Sequence, residues 1–183
     1  AGIVLGRDRA GGRLPERFLA GSDDAHHFAH HLHGSRYRGF NLLLWDGRTL
    51  AYTSNRGHSQ DLEPGVYGLA NAELGATWPK VLRGREALGR AIEAGANPDT
   101  LLELLADRQV PPDQDLPRRG RPLELERRVA PCFIAGEDYG TRASTAVVFE
   151  RRAGGALRVR FAEQAYGPGG DPGGRVDHEF ELS

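Results

Sequence analysis

The dipeptide Asp46-Gly47 constrains the fold of this chain more than any other feature, because strand-like apolar runs flank it on both sides. The segment reads RGFNLLLWDGRTLAYTSN. Asp-Gly between two such runs is a strong signal for a β-hairpin, since both residues tolerate the backbone conformation of a tight hairpin turn. The sequence therefore predicts two antiparallel strands here, and with them an antiparallel sheet.

Three segments around the hairpin have the spacing of amphipathic helices. The first is predicted to begin at the N-cap Ser22 and to end at Gly34. Its apolar positions recur every three or four residues, at Ala25, Phe28, Ala29 and Leu32. The second, TWPKVLRGREALGRAIEAG, is predicted to end near Gly95, and the third, PDTLLELLAD, to be capped by Asp99.

The last third of the chain returns to strand-like segments. A proline-rich segment at residues 108–121 is predicted to be a surface loop. Four predicted strands follow it, in LELERRVAPCFIAG, TRASTAVVFERR, ALRVRFAEQAY and RVDHEFEL. The order strands, helices, strands indicates an α+β fold or a layered sandwich with a largely antiparallel sheet. A length of 183 residues suits a single domain spanning residues 1–183.

The composition argues against two classes of partner. A formal net charge of -1 is not the basic excess that nucleic-acid binding needs, so no nucleic acid is expected. No apolar run approaches the roughly 18 residues of a membrane-spanning helix, so stable membrane insertion is not expected either. Cys132 is the single cysteine, which agrees with a reducing compartment and favours a cytoplasmic location.

Histidines are concentrated on the first predicted helix. His26, His30 and His33 fall on the side opposite Phe28, and a histidine pair spaced i, i+4 is a workable ligand geometry for a metal or a haem. The alternative is a solvated helix face. Because no carboxylate or cysteine in the neighbouring sequence completes a ligand set, the solvated face is the expectation.

Two other short segments place a polar side chain beside small residues. Asn71 lies in GLANA and Arg142 in EDYGTRAST, each next to a strand-like run. An amide and a guanidinium in such places suit a pocket wall that holds an anion or a polarised carbonyl. The alternative is a turn residue and a surface salt bridge. Cys132 lies in the apolar context VAPCFI, which indicates a small core residue rather than a nucleophile.

Seven motifs, in order, resemble the C-terminal part of the NRDE family, also called the transport-and-Golgi-organisation protein 2 family. They are YRGFNLLLWDG, YTSNRG, LEPGVYGLANA, WPKVLRG, Leu116-Pro117, YGTRAST and HEFEL. The resemblance extends from about Arg17 to the end of the chain. Seven motifs in the same order are far more specific than any one of them.

This resemblance implies an αββα four-layer sandwich like that of N-terminal-nucleophile hydrolases. Such enzymes activate the side chain of their first residue with its own α-amine, and Ala1 offers no nucleophile. The family's initial cysteine and Asn-Arg-Asp-Glu motif are not in this sequence, so roughly the first third of the family's domain is expected to be absent or on another segment. By fold-level analogy, Asn71 is expected at an oxyanion hole and Arg142 close to the nucleophile.

The resemblance also implies a small-molecule ligand. Its first functional implication is intracellular haem handling, with haem as cargo. The alternatives are an N-terminal-nucleophile cysteine amidase or thioesterase whose nucleophile segment is missing, and a protein that binds acyl-CoA or a lipid metabolite. Asn71, Tyr139 and Arg142 are the expected ligand-binding residues.

Overall fold

The computed structural model describes residues 13–37 and 39–182, which fall into two compact units. The first unit lies within Ala1–Ala76 and the second within Thr77–Ser183. Ala1, the residue that offers no nucleophilic side chain, lies outside the described residues. Within the described ranges, no helix has the length and the apolar character needed to cross a membrane.

The first unit contains the predicted hairpin. Strand β1, Asn41–Trp45, pairs antiparallel with β2, Leu50–Ser54, and β2 pairs in turn with the short strand β3, Gln60–Asp61. The hairpin prediction is therefore confirmed, and the sheet order is β1-β2-β3.

The side chain of Asp46 holds the hairpin turn. Its Oδ1 atom accepts hydrogen bonds from the backbone N–H groups of Arg48 and Thr49, while Oδ2 accepts one from Ala25 at 3.0 Å. Gly47 supplies the positive φ of 95° that the turn needs. Burial alone would raise the pKa of Asp46, but these backbone donors outweigh it and hold the pKa below its usual value.

Two helices of the first unit precede the hairpin, α1 at Arg13–Ala20 and α2 at Ala25–His30. The predicted bounds of α2 were wrong at both ends. Its N-cap is Asp24, whose carboxylate accepts from the backbone N–H of His27 at 2.7 Å, and the helix ends at His30 rather than at Gly34. The predicted apolar face is confirmed, because it contributes to a core made of Leu14, Phe18, Ala25, Phe28, Ala29, Phe40, Leu42, Leu44 and Ala51.

The second unit begins with helix α3 at Pro79–Glu93 and helix α4 at Pro98–Leu105. Gly95, with a φ of 81°, follows α3 as predicted. The predicted cap of α4 was wrong, because Asn97 rather than Asp99 is the N-cap, and its side chain accepts from the backbone N–H of Thr100.

The segment LELERRVAPCFIAG begins with a helix and not with the predicted strand. Helix α5 spans Leu123–Val129. Its alternating Leu and Glu residues mimic strand periodicity, but the acidic residues lie in the first turn and Arg127 and Arg128 in the last, which is the charge order that a helix dipole favours. The strand prediction for these residues was wrong for this reason.

The other three predicted strands are confirmed and form the second sheet. They are β4 at Ala143–Arg151, β5 at Leu157–Tyr166 and β6 at Pro172–Leu182, antiparallel in the order β4-β5-β6. Helix α4 packs on this sheet, where Leu102 meets Ala146 and Ala162. The chain is therefore of the α+β class with antiparallel sheets, while the four-layer sandwich and the single domain stay predictions.

Candidate functional site

Asn71 is an exposed residue of the first unit, and the backbone on either side of it is held by the hairpin. The side-chain amide of Asn41 donates to the carbonyl oxygen of Ala72 at 2.8 Å and, more weakly, to that of Ala70 at 3.5 Å. Asn41 is the first residue of β1, so the strand fixes the position from which the Asn71 side chain extends.

Sequence reasoning missed Asn41 and its partner Tyr52. The Tyr52 hydroxyl donates to Asn41 Oδ1 at 2.7 Å, and Tyr52 is only 2% exposed. A buried tyrosine needs a hydrogen-bond partner for its hydroxyl. In the sequence, only the position of Asn41 at the start of an apolar strand could have indicated this contact. The two residues act as a support behind the Asn71 segment.

Arg142 lies in the second unit, directly after a loop whose two ends are tied together. The backbone N–H of Thr141 donates to Ile134 O at 2.8 Å, and the N–H of Ile134 donates to Thr141 Oγ1 at 3.0 Å. The carbonyl of Arg142 accepts from the N–H of Tyr166 at 2.8 Å. The backbone of Arg142 is thus fixed on the sheet.

The Arg142 side chain is exposed and available to a ligand. Within residues 13–37 and 39–182, its guanidinium makes no hydrogen bond or ion pair, so the surface salt bridge considered as its alternative role is not found there. Tyr139, three residues earlier, is 40% exposed. An exposed guanidinium on a fixed backbone can bind a carboxylate or phosphate through charge-assisted hydrogen bonds. Asn71 lies in the other unit, and its expected place in the same pocket wall stays a prediction.

The structure adds a carboxylate to the histidine helix. Asp61 of β3 lies beside two of the three candidate histidines, with 2.7 Å between His26 Nδ1 and Asp61 Oδ2 and 3.5 Å between His30 Nε2 and Asp61 Oδ1. No local sequence pattern indicates this third group, because Asp61 is 35 positions after His26 and is brought close only by the packing of β3. His33 does not join the cluster.

Cys132 has the surroundings of a poorly reactive thiol. Burial raises its pKa, and the positive charge of Lys80 offsets only part of that rise. Lys80 donates to the carbonyl oxygen of Val129, the last residue of α5, at 3.0 Å and to that of Pro131, two residues further on, at 3.2 Å. Burial also lowers the pKa of Lys80. Lys80 therefore satisfies backbone carbonyl groups at the C-terminal end of α5, which is a structural role.

The described molecule is an α+β protein with two antiparallel three-stranded sheets, and Asn71 and the histidine cluster lie in the first unit while Arg142 lies in the second. Comparison with known proteins gives the particular family. The model of the family described as Transport and Golgi organisation 2 matches residues 5–168, and the chain belongs to that family.

Curated relatives agree with the family match. The chain is 34% identical to the Transport and Golgi organization protein 2 homolog of Bos taurus over 95% of this chain and 68% of the relative. It is 30% identical to the Mus musculus homolog over 86% of this chain, and 31% identical to the Homo sapiens homolog over 65%. The last two matches span 62% and 49% of those relatives' lengths, so the chain corresponds to only part of each protein.

Proposed function

We propose that the chain belongs to a protein that handles haem as a bound cargo. The observation that carries this proposal is Arg142, whose backbone is fixed by β5 while its exposed guanidinium has no partner among the described residues. Haem carries two propionate carboxylates, and a guanidinium binds a carboxylate with two parallel hydrogen bonds. The partly exposed ring of Tyr139 adds an aromatic surface in the same short segment. A cytoplasmic setting is part of the proposal, in line with the free thiol of Cys132.

An acyl-CoA or a lipid metabolite is an alternative cargo, since its phosphates or carboxylate would use the same guanidinium. The haem proposal differs in requiring contacts with the porphyrin and its iron. Competition separates the two. If haem is the cargo, adding an excess of acyl-CoA to the haem-loaded chain leaves the haem-bound fraction unchanged. If the site is built for acyl-CoA, one equivalent of acyl-CoA displaces the haem.

A hydrolase of the N-terminal-nucleophile type is the second candidate function. The exposed amide of Asn71 on a supported backbone favours it, because an oxyanion hole requires a donor held in place before the reaction. The reaction also requires a nucleophile with a nearby base. The raised pKa of Cys132 makes that thiol a poor choice, so the nucleophile would have to come from outside the described residues.

Replacing Arg142 with alanine is expected to weaken haem binding by about 1.5–3 kcal/mol, roughly ten- to a hundredfold, because a charge-assisted hydrogen bond to a propionate is lost. The measurement is a titration with haem, followed by the Soret band. The matched control is Arg152→Ala, which removes another exposed guanidinium of the same unit. Equal affinities for the wild-type chain and the Arg142→Ala variant would remove Arg142 from the site. The absence of a saturable Soret change in the wild-type chain would contradict the haem proposal itself.

A further inference from the structure

We propose that His26, His30 and Asp61 form a binding site for a divalent transition-metal ion, with Zn²⁺ as the ion best suited to it. The ligand atoms of these three side chains, one imidazole nitrogen or carboxylate oxygen each, lie within 4.8 Å of one another. Two imidazoles and one carboxylate are a donor set that zinc accepts, with a remaining position for water. The site goes beyond the proposed haem function and does not depend on it.

One of the two distances between Asp61 and the histidines matches that of a tetrahedral zinc site. Zinc bonds of about 2.0–2.2 Å to nitrogen and oxygen place neighbouring ligand atoms roughly 3.3–3.5 Å apart. The distance from His30 Nε2 to Asp61 Oδ1, 3.5 Å, already has this value. The distance from His26 Nδ1 to Asp61 Oδ2, 2.7 Å, has to widen, and the 56% exposure of the His26 side chain leaves it room to rotate.

Both elements that carry the ligands are anchored. His26 and His30 are spaced i, i+4 on α2, and their rings stack with centroids 4.3 Å apart. Strand β3 is attached through the pairing of Asp61 with Ala51, and Ser59 just before it donates from Oγ to the carbonyl of Ala29 on α2 at 2.9 Å. The site is therefore held together by the fold and not by the metal alone.

A simple ion pair does not use this arrangement as fully as a metal would. The two oxygens of Asp61 lie towards different imidazoles, 2.7 Å from His26 Nδ1 and 3.5 Å from His30 Nε2, whereas a single ion pair would need only one of these contacts. A divalent ion takes both rings in their neutral form together with the carboxylate. The cluster is exposed, so bound metal would exchange readily with solution.

Helix α2 also provides a matched control. His27 and His31 have the same i, i+4 spacing and stack with centroids 4.1 Å apart. His31 Nδ1 lies 2.9 Å from the carbonyl oxygen of His27, and no third ligand joins this pair within the described residues. The pair His26 and His30 has a carboxylate beside it, that of Asp61, and the pair His27 and His31 has none within the described residues. A comparison of the two pairs therefore tests whether the carboxylate is needed for metal binding.

The test is calorimetric titration of the untagged, metal-free chain with Zn²⁺, together with the visible spectrum of the Co²⁺ complex. One equivalent is expected to bind. Loss of a residue that only hydrogen-bonds to a metal ligand weakens metal binding by roughly 10–100-fold. Asp61 and His30 are proposed as direct ligands, so Asp61→Asn and His30→Gln are each expected to weaken Zn²⁺ binding by more than this and to change the visible bands of the Co²⁺ complex. The double variant His27→Gln/His31→Gln is expected to bind Zn²⁺ like the wild-type chain.

Thermal unfolding gives a second measurement that does not rely on heat of binding. Zn²⁺ binding to the folded state raises the melting temperature, and this increase is expected in the wild-type chain and in the His27→Gln/His31→Gln variant, but not in Asp61→Asn. Circular dichroism without metal establishes that Asp61→Asn is folded. Zn²⁺ affinity that is unchanged by Asp61→Asn, or lost on changing His27 and His31, overturns the proposal. Because no haem is present, these outcomes leave the haem proposal untouched.

Discussion

Replacing Arg119 with alanine is expected to destabilise the second unit by about 3 kcal/mol or more, since the variant leaves the Glu126 carboxylate buried without its cationic partner. The Glu126 side chain is 5% exposed and that of Arg119 26%. The guanidinium donates to Glu126 Oε2 through Nε at 3.0 Å and also through Nη2, and it lies over the ring of Trp78. The measurement is urea denaturation at neutral pH, followed by circular dichroism.

The stabilisation by the Arg119–Glu126 ion pair is also expected to depend on pH. Hydrogen bonding from Arg119 lowers the pKa of Glu126 below its usual 4.5, although burial acts in the opposite direction. The stabilisation is therefore complete above the unfolded-state pKa and is lost as the pH falls through the lower folded-state pKa. We expect the difference in unfolding free energy between wild type and Arg119→Ala to shrink below about pH 4.5.

The double variant Arg119→Met/Glu126→Leu is the control for this prediction. It removes both charges at once and is expected to lie within about 1 kcal/mol of the wild type, because replacing a whole buried pair by apolar residues is often neutral. If Arg119→Ala alone is as stable as the wild type at neutral pH, Glu126 is not buried as described.

Replacing Gly140 with alanine is expected to destabilise the second unit by about 3 kcal/mol, at the upper end of the usual cost of overpacking. A Cβ atom at Gly140 would lie 2.6 Å from the carbonyl oxygen of Ile134 and 3.2 Å from the backbone nitrogen of Gly136. Both contacts are with backbone atoms, which cannot move aside as a flexible side chain would. The loop before Arg142 therefore has to open, and haem affinity is expected to fall with it.

Gly84→Ala is the matched control in the same unit. Gly84 lies within helix α3, and a Cβ atom there would meet nothing within 4 Å. This change is expected to stabilise the helix by roughly 0.5–1 kcal/mol, because alanine is the better helix former. Urea denaturation of both variants measures the difference. An unfolding free energy for Gly140→Ala equal to that of the wild type would show that the loop is not closed as described.

Local patterns predicted the elements whose signals lie within a few residues. The hairpin at Asp46-Gly47 is one, and the apolar face of α2 is another. The caps of α2 and α4 were misplaced because several residues near each start can cap a helix, and the choice among Ser22, Asp23 and Asp24 depends on where the chain enters the core. Helix α5 was misread because an alternation of leucine and glutamate satisfies the strand period while its charges favour a helix.

The candidate site was predictable only in part, and for a similar reason. Arg142 and Asn71 could be selected from their small neighbours and from the family resemblance. The support of the Asn71 segment by Asn41, and the position of Asp61 beside the histidines, depend on contacts between residues about 30 positions apart. Such contacts are set by the pairing of β1, β2 and β3 and have no local sequence signal.

The most direct test of the proposed function is transfer of haem from the loaded chain to an apoprotein of higher affinity, such as apomyoglobin. A carrier must release its cargo as well as bind it. We expect the wild-type chain to bind haem and, once the acceptor is added, the spectrum to change to that of the acceptor's haem complex. A chain that binds no haem, or one that keeps it in the presence of excess acceptor, would contradict the proposed role.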